Sequence, residues 1–283
     1  MPMRKTTQTP PKGKPSRSLQ KTREPIRLQK ILALATDLSR RAAETAIQQG
    51  DVTVNGKPVT TLGAKATPGV DRIAYQGQLL MMPTRRILIA FHKPRNTMVT
   101  ANDPQGRETI WEYLKKWKGR INPIGRLDFQ TEGLLLLTND GELQNKLTHP
   151  RYHVKKTYQV KVEGIATESQ LEKLRRGMMV EGEQMGGIEV TPLKSPIASA
   201  EPVKKVRRKG TNAKPLGTQH SWLTVALTEG KYRQIRRMFG AVDLPVIKLK
   251  RVRMGPIGLK GLERGDWREL TKDEIMALDE VIS

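Results

Sequence analysis

The chain has 283 residues, and its 51 lysines and arginines against 28 aspartates and glutamates leave a formal charge of +23 at pH 7, which points to a polyanionic partner. Only 36% of residues are hydrophobic and 4% aromatic, and there is no cysteine, which excludes disulfides, thiolate zinc sites and cysteine nucleophiles. No apolar run approaches the roughly 18 residues of a spanning helix, and the polar start lacks a secretion signal, so a cytoplasmic, two-domain protein is expected.

Residues 1–25 carry Arg4, Lys5, Lys12, Lys14, Arg17, Lys21 and Arg23 among prolines and almost nothing apolar, the composition of a disordered basic tail. A solubilising tail and an arm that settles on RNA phosphates share that composition. From Pro25 onward, Leu28, Ile31, Leu32 and Ala35 recur at helical spacing. Ser39 is a fitting N-cap for a second helix over 40–48, packed through Ala42, Ala43, Ala46 and Ile47 and stopped by Gly50. Val52-Thr53-Val54-Asn55-Gly56-Lys57-Pro58-Val59 then predicts a tight hairpin. Arg27, Lys30, Arg40 and Arg41 gather near the helix starts, where unpaired N–H groups also attract phosphates.

Residues 26–82 thereby resemble the S-four-type RNA-binding module, through Arg27-Leu28-Gln29-Lys30-Ile31-Leu32, Ser39-Arg40-Arg41-Ala42-Ala43 and Gly50 to Lys57 in order. The resemblance implies RNA binding through shape and backbone, with Arg27, Lys30, Ser39, Arg40 and Arg41 as contacts and any chemistry left to the neighbouring domain.

The second domain, 83–283, reads as α+β. Ile87 to Phe91 is a buried strand, Ile110 to Trp117 a helix, and Leu134 to Leu137 a central strand bounded by Gly133 and Asn139-Asp140-Gly141. Thr157 to Glu163 alternates Tyr158, Val160 and Val162 on one face. Thr167-Glu168-Ser169-Gln170 is a capping box leading Leu171, Leu174 and Met178 on a helix that ends near Gly177. Trp222 to Leu227 and Val246 to Val252 add strands, and Thr271 to Glu274 opens the last helix. A basic insertion around 195–218 contains Lys204-Lys205-Val206-Arg207-Arg208-Lys209, read as an RNA-facing loop or a solvated charge run.

Several chemistries lack their parts. His149 and His153 are separated by Pro150 and no ligand set completes them, so no metal is expected. No phosphate-binding loop and no Gly-x-Ser-x-Gly elbow occurs, so no nucleotide cofactor is expected either. Attention falls on Asp128, in Ile124-Gly125-Arg126-Leu127-Asp128-Phe129-Gln130-Thr131-Glu132-Gly133 at a sheet rim, where it either projects into a cleft or caps its own turn. A second cluster, Glu229 to Phe239, puts Arg233, Arg236 and Arg237 on one helix face and Ile235, Met238 and Phe239 on the other. A guanidinium paired with Asp128 would keep it ionised and orient it as a nucleophile.

Over about 26–283 the chain resembles the RNA pseudouridine synthases, in particular the ribosomal RNA branch with an S-four-type module at its N-terminus. The matching blocks are Gly125-Arg126-Leu127-Asp128 running to Gly141, then Lys156-Thr157-Tyr158, then Glu229-Gly230 to Arg236-Arg237-Met238. The resemblance implies a catalytic domain built on a mixed, largely antiparallel sheet and a cofactor-independent isomerisation of uridine. It assigns Asp128 as the nucleophile, attacking the base or the anomeric carbon, and Tyr158 as the ring that packs on the base and a candidate for taking the carbon 5 proton. Arg236 matches the partner of the aspartate, Arg126 the side chain filling the gap left by the displaced base, and Leu249 a pocket wall. Arg233 and Arg237 are expected on RNA. After Lys93-Pro94 the family often has a glycine followed by small or apolar residues, where this chain has Arg95-Asn96-Thr97-Met98-Val99-Thr100 in a loop expected beside the pocket.

Gly255 to Leu259 and Gly265 to Leu270 look more like enzymes of the large ribosomal subunit than of the small one. The expected partner is ribosomal RNA or a precursor particle, with no membrane, and a monomer is expected because no leftover amphipathic stripe demands a partner. A noncatalytic RNA-binding assembly factor is the competing reading.

Overall fold

Apolar residues at helical spacing in the N-terminal segment close a small core of their own. The computed structural model describes residues 24–83, 85–193, 219–259 and 261–283, so the expected basic tail up to residue 23 and the 195–218 insertion lie outside the described residues. The chain divides into two units, Met1–Arg86 and Ile87–Ser283.

In the first unit, helices α1 (Leu28–Ala35) and α2 (Arg40–Gln48) pack Leu28, Ile31, Leu32, Ala43 and Ile47 against Val52, Ala66 and Ile73. The Ser39 side chain accepts from the Ala42 N–H, and Gly50 takes φ +79 just past α2, so both end signals act as the sequence implies. Strands β1 (Val52–Val54) and β2 (Lys57–Pro58) meet through Asn55 and Gly56, both at positive φ (53 and 80), the geometry a two-residue hairpin needs. Strands β3 (Ile73–Tyr75) and β4 (Gln78–Leu79) complete a four-stranded sheet. Arg27, Arg40 and Arg41 stand exposed at the two helix starts, and Lys30 is half-buried on α1.

The second unit is built on a mixed sheet, nine-stranded among the described residues. Its elements are β5 (Leu88–Lys93), β6 (Glu132–Thr138), α3 (Gly141–Thr148), β7 (Lys156–Glu163), α4 (Glu168–Arg176), β8 (Glu189–Pro192), β9 (His220–Leu227), α5 (Gln234–Gly240), β10 (Val246–Met254), β11 (Trp267–Glu269) and α6 (Lys272–Val281). The strand order is β8-β9-β7-β10-β6-β5-β11, antiparallel throughout except between β10 and β6, and two short strands off this path, Asn122–Pro123 beside β6 and Ile257–Gly258 beside β10, make up the nine. Strand β6 is buried on both faces, which explains its continuous apolar sequence.

One face of the sheet carries Tyr158, Val160, Val162, Leu223, Val225 and Leu249 into a core with Leu171 and Leu174 of α4 and Ile235, Met238 and Phe239 of α5. The other face of β5 and β6 packs Leu88, Ala90, Leu134 and Leu136 against Leu143 and Leu147 of α3 and Leu278 of α6.

Three expectations are corrected. Only Ile110–Glu112 forms a helical turn of the 3₁₀ type, where a helix to Trp117 was expected. The aromatic residues there are held by tertiary neighbours instead: Tyr113 lies 5.9 Å from the Phe91 ring and Trp117 meets Trp267 edge-on at 5.5 Å. Met178 starts a strand instead of continuing α4, because Gly177 at φ +82 has already ended the helix. Arg233 precedes α5 in the left-handed region at φ 47 and so is not on the helix face shared by its neighbours.

Candidate active site

Five separated chain segments converge on one cleft of about 480 Å³, within the roughly 300–1,000 Å³ range of small-ligand pockets, and four of them carry its charged and aromatic groups. The 125–131 turn contributes Arg126, Asp128 and Thr131, β7 contributes Lys156 and Tyr158, the N-terminal end of α5 contributes Arg233 at its cap and Arg236 in its first turn, and β10 contributes Leu249 and Arg251. Sheet register accounts for the second and fourth groups. Tyr158 pairs with Arg251 and Val160 with Leu249, so alternate side chains of both strands face the same side.

Asp128 sits where the chain turns from an irregular segment into β6. Its carbonyl accepts from the Thr131 N–H at 2.9 Å, closing the turn. Beneath it, Lys93 is wholly buried and donates from Nζ to the carbonyls of Pro94 (2.9 Å), Thr131 (2.9 Å) and Asp128 (3.3 Å). Burial pushes the Lys93 ammonium down to about 8, although the charges of Asp128 and Glu132 work the other way.

A second brace reaches the turn from its flank. Asn96 occupies the left-handed region at φ 59 and donates its N–H to the Phe129 carbonyl at 2.7 Å. Asparagine is among the few residues that tolerate this conformation, so the stretch after Lys93-Pro94 takes its turn without a glycine. Arg95 donates to Gln130 Oε1 at 2.9 Å, and the Arg107 guanidinium lies 5.6 Å from the Phe129 ring centroid. Arg107 is itself fixed by two bonds to Asp103, whose carboxyl it holds down to about 2.

The adjoining strand pairing depends on Gly133, at φ +116. A Cβ there would come within 2.2 Å of the Arg251 carbonyl oxygen, so only glycine lets β10 lie beside β6 and deliver Leu249 and Arg251 to the cleft.

The cationic side chains are held in different ways. Arg236 donates from Nη1 to the Val246 carbonyl at 3.0 Å and from Nη2 to the Gln130 carbonyl at 3.5 Å, so it spans β10 and the Asp128 turn. This corrects the expected direct ion pair: Arg236 feels the Asp128 charge but bonds to its neighbour's backbone. Burial and the nearby Arg233 lower the Arg236 pKa, with Asp128 opposing them. Arg251 donates from Nε to the Leu134 carbonyl at 2.7 Å, while its buried Nη2 has no partner within the protein. Lys156 donates to the carbonyls of Val154 (3.2 Å) and Thr228 (2.9 Å), and burial, reinforced by Arg251, brings it down to about 8.

Arg237 is the exception among the sequence-derived candidates of this unit. It points away from the cleft and bonds Glu181 at 2.8 Å and Glu183 at 2.7 Å, tying α5 to the hairpin Met178–Val180 and Glu183–Met185. Adjacent positions on a helix diverge by about 100°, so Arg236 and Arg237 cannot both face one groove. Glu229 anchors the start of α5 by accepting from Gln234 and from the Gly186 N–H.

Sequence reading assigned no role to Lys93, Lys156, Thr131 or Arg251. The signal for Arg251 was present: a cation two residues from Leu249 on the inward side of an otherwise apolar strand face. No group of three or more potential metal ligands occurs among the described residues.

A family model described as RNA pseudouridylate synthase matches residues 87–241, and one described as the S4 domain matches 26–71. Ribosomal large subunit pseudouridine synthase B of Bacillus subtilis (strain 168) is 42% identical over 252 residues, covering 89% of this chain and 95% of the relative. The protein of the same name from Escherichia coli (strain K12) is 38% identical over 264 residues, covering 90% and 83%. An uncharacterized RNA pseudouridine synthase of Aquifex aeolicus (strain VF5) is 37% identical over 254 residues, covering 89% and 93%. A crystal structure of a pseudouridylate synthase superposes with a TM-score of 0.59 at 26% identity, covering 89% of this chain and 99% of that one.

Proposed function

Because this chain belongs to the RNA pseudouridylate synthase family, we propose that it isomerises a uridine of ribosomal RNA, that of the large subunit, with Asp128 as nucleophile. The observation that carries this reading is the meeting of Asp128, Tyr158, Arg236 and Leu249, from separate segments, on one open cleft.

In the proposed reaction the bond between N1 of the base and the ribose breaks, the uracil turns, and carbon 5 bonds to the ribose in its place. One proton leaves carbon 5 and one is gained at N1, so composition is unchanged. Asp128 attacks the base or the anomeric carbon, and the bond it forms breaks again as carbon 5 joins the ribose, which regenerates the carboxylate. The Tyr158 ring supports the base from the floor of the cleft beside Leu249 as the candidate that takes the carbon 5 proton. Arg236 keeps the Asp128 turn in place through Gln130 and adds positive charge at its mouth. Arg126, exposed on the rim, fills the gap left by the displaced base. Extruding a base from its stack costs a few kcal/mol. Contacts of Arg126, Arg233 and Lys156 with the RNA backbone offset it. Arg27, Lys30, Ser39, Arg40 and Arg41 hold RNA on the N-terminal module, residues 26–82, while 83–283 form the catalytic domain. The protein acts as a monomer on rRNA or a precursor particle, without a cofactor.

Asp128→Asn tests the reading. It is expected to abolish pseudouridine formation on large-subunit rRNA while leaving RNA affinity within about twofold, since one carboxyl is removed from a surface dominated by phosphate contacts. Mapping pseudouridines in both rRNAs with and without the protein also decides the subunit. An rRNA whose pseudouridines do not change on loss of the protein supports the noncatalytic assembly factor instead.

A further inference from the structure

One buried cation of the cleft has no counter-ion in the protein. Arg251 is 3% exposed, and among the described residues its side chain makes a single hydrogen bond, from Nε to the Leu134 carbonyl, while Nη2 is buried without an acceptor. It lies close enough to Lys93 and Lys156 for its charge to depress both ammonium groups, which gathers three buried cations. Two carboxylates line the cleft, and Glu229 is already engaged by Gln234 and the Gly186 N–H, which leaves Asp128. A buried guanidinium is costly until an anion or a full set of acceptors meets it.

Two features of the backbone bring Arg251 there. A bulge in β10 sets Arg251 opposite Tyr158 while Arg253 lies opposite Thr157, and bulges re-aim side chains. On the other flank, β10 reaches β6 only because position 133 has no Cβ. Arg251 therefore lines the cleft from within, whereas Arg126 and Arg233 stand exposed. Its buried neighbours are committed elsewhere: Lys93 to three carbonyls, and Arg236 to those of Val246 and Gln130.

The isomerisation proposed above creates a matching anion. When the Asp128 carboxylate adds to the base, the electron pair of the ring double bond moves onto a carbonyl oxygen. When it takes the anomeric carbon, the bond from N1 to the ribose breaks and the uracil leaves with the charge spread over both carbonyl oxygens. Either way one negative charge passes from Asp128 to the base, and it returns when the carboxylate is regenerated.

We propose that Arg251 is a further catalytic residue, whose Nη groups donate to a carbonyl oxygen of the extruded uracil and stabilise the negative charge that gathers there. The inference rests on the enzymatic reading. In a site shielded from water such a contact strengthens as the charge develops, so it lowers the barrier more than it tightens binding.

The test uses full-length Arg251→Gln and Arg251→Lys on an rRNA fragment carrying uridine, 2-thiouridine or 4-thiouridine at the mapped target. In Arg251→Gln, kcat on uridine is expected to fall about 100-fold or more with KM within about threefold. Arg251→Lys keeps the charge, should lose less, and decides the matter if the glutamine upsets the fold. Sulfur accepts hydrogen bonds weakly. The loss caused by either substitution should therefore be at least about fivefold smaller on the thiouridine whose sulfur replaces the contacted oxygen, and the position affected identifies that oxygen. Equal losses on all three bases overturn the proposal, because an arginine that only supports the fold is missed alike by each. A wild-type protein that leaves the rRNA unmodified defeats the enzymatic reading, and ligand-observed NMR with uracil and 5-nitrouracil, an anion at neutral pH, then decides for Arg251. Preference for the anion that is lost in the variants supports an anionic-base site, and no such preference overturns it.

Discussion

At the scale of single residues, Lys93 places the acid without touching the cleft. Its ammonium ties together three carbonyls of the Asp128 turn and the strand end before it. Lys93→Met is expected to lower stability by about 2–4 kcal/mol, because those acceptors lose their donor inside the protein. Urea denaturation measures it. The lysine also sets a pH dependence. Its folded pKa of about 8 lies below the ordinary 10.5, as does that of Lys156. Below about pH 8 both states hold the proton and stability from these groups is flat. Between about 8 and 10.5 the unfolded chain binds more protons, so stability rises with pH, by at most about 1.4 kcal/mol per unit for each lysine. Part of that rise should vanish in Lys93→Met, and an unchanged curve would show that the turn is held by other means. Asn96→Val tests the flank: forcing a β-branched residue to φ 59 is expected to cost about 1–3 kcal/mol and to lower turnover more than RNA affinity.

Elements reach the site through two junctions. One is the parallel contact of β6 with β10, which exists because position 133 has no Cβ. Gly133→Ala sets a carbon against the Arg251 backbone and is expected to cost about 3 kcal/mol or more, seen as a fall in the denaturation midpoint, with loss of activity because Leu249 and Arg251 move. A neutral result would mean the strands slide without consequence. The other junction is α5, pinned by Arg237 to the Met178–Met185 hairpin and by Glu229 at its start. Arg237→Gln should therefore reduce stability before it affects RNA binding, which calorimetry and a binding titration separate. Elements with local signals were legible: the Ser39 and Thr271 caps, the Asn55-Gly56 hairpin and the alternation of β7 all lie where short-range rules put them. Ile110 to Trp117 was not, because its rings answer to Phe91 and Trp267, distant partners that outweigh local spacing.

At the scale of the whole molecule, the excess of 51 basic over 28 acidic residues predicts an association governed by phosphates. Arg40→Glu/Arg41→Glu is expected to weaken RNA binding and flatten the plot of log affinity against log salt by about 2, without altering the chemistry of bound substrate under saturating conditions. Single-turnover rates check the second half of that statement, and a fall in that rate would give the module a part in catalysis. From the sequence alone came the expectation of a polyanionic partner and of a two-part organisation, the short-range elements, and the candidates Asp128, Tyr158 and Arg236, since charge, periodicity and ordered motifs are properties of the linear chain. Tertiary structure decided which arginines meet the acid, that Arg236 reaches it through the Gln130 backbone while Arg237 turns to Glu181 and Glu183, and that Lys93, Lys156 and Arg251 belong with the site. Those outcomes depend on strand register, on the phase of a short helix and on where burial removes water from a charge, and these are fixed only when segments far apart in the chain pack together.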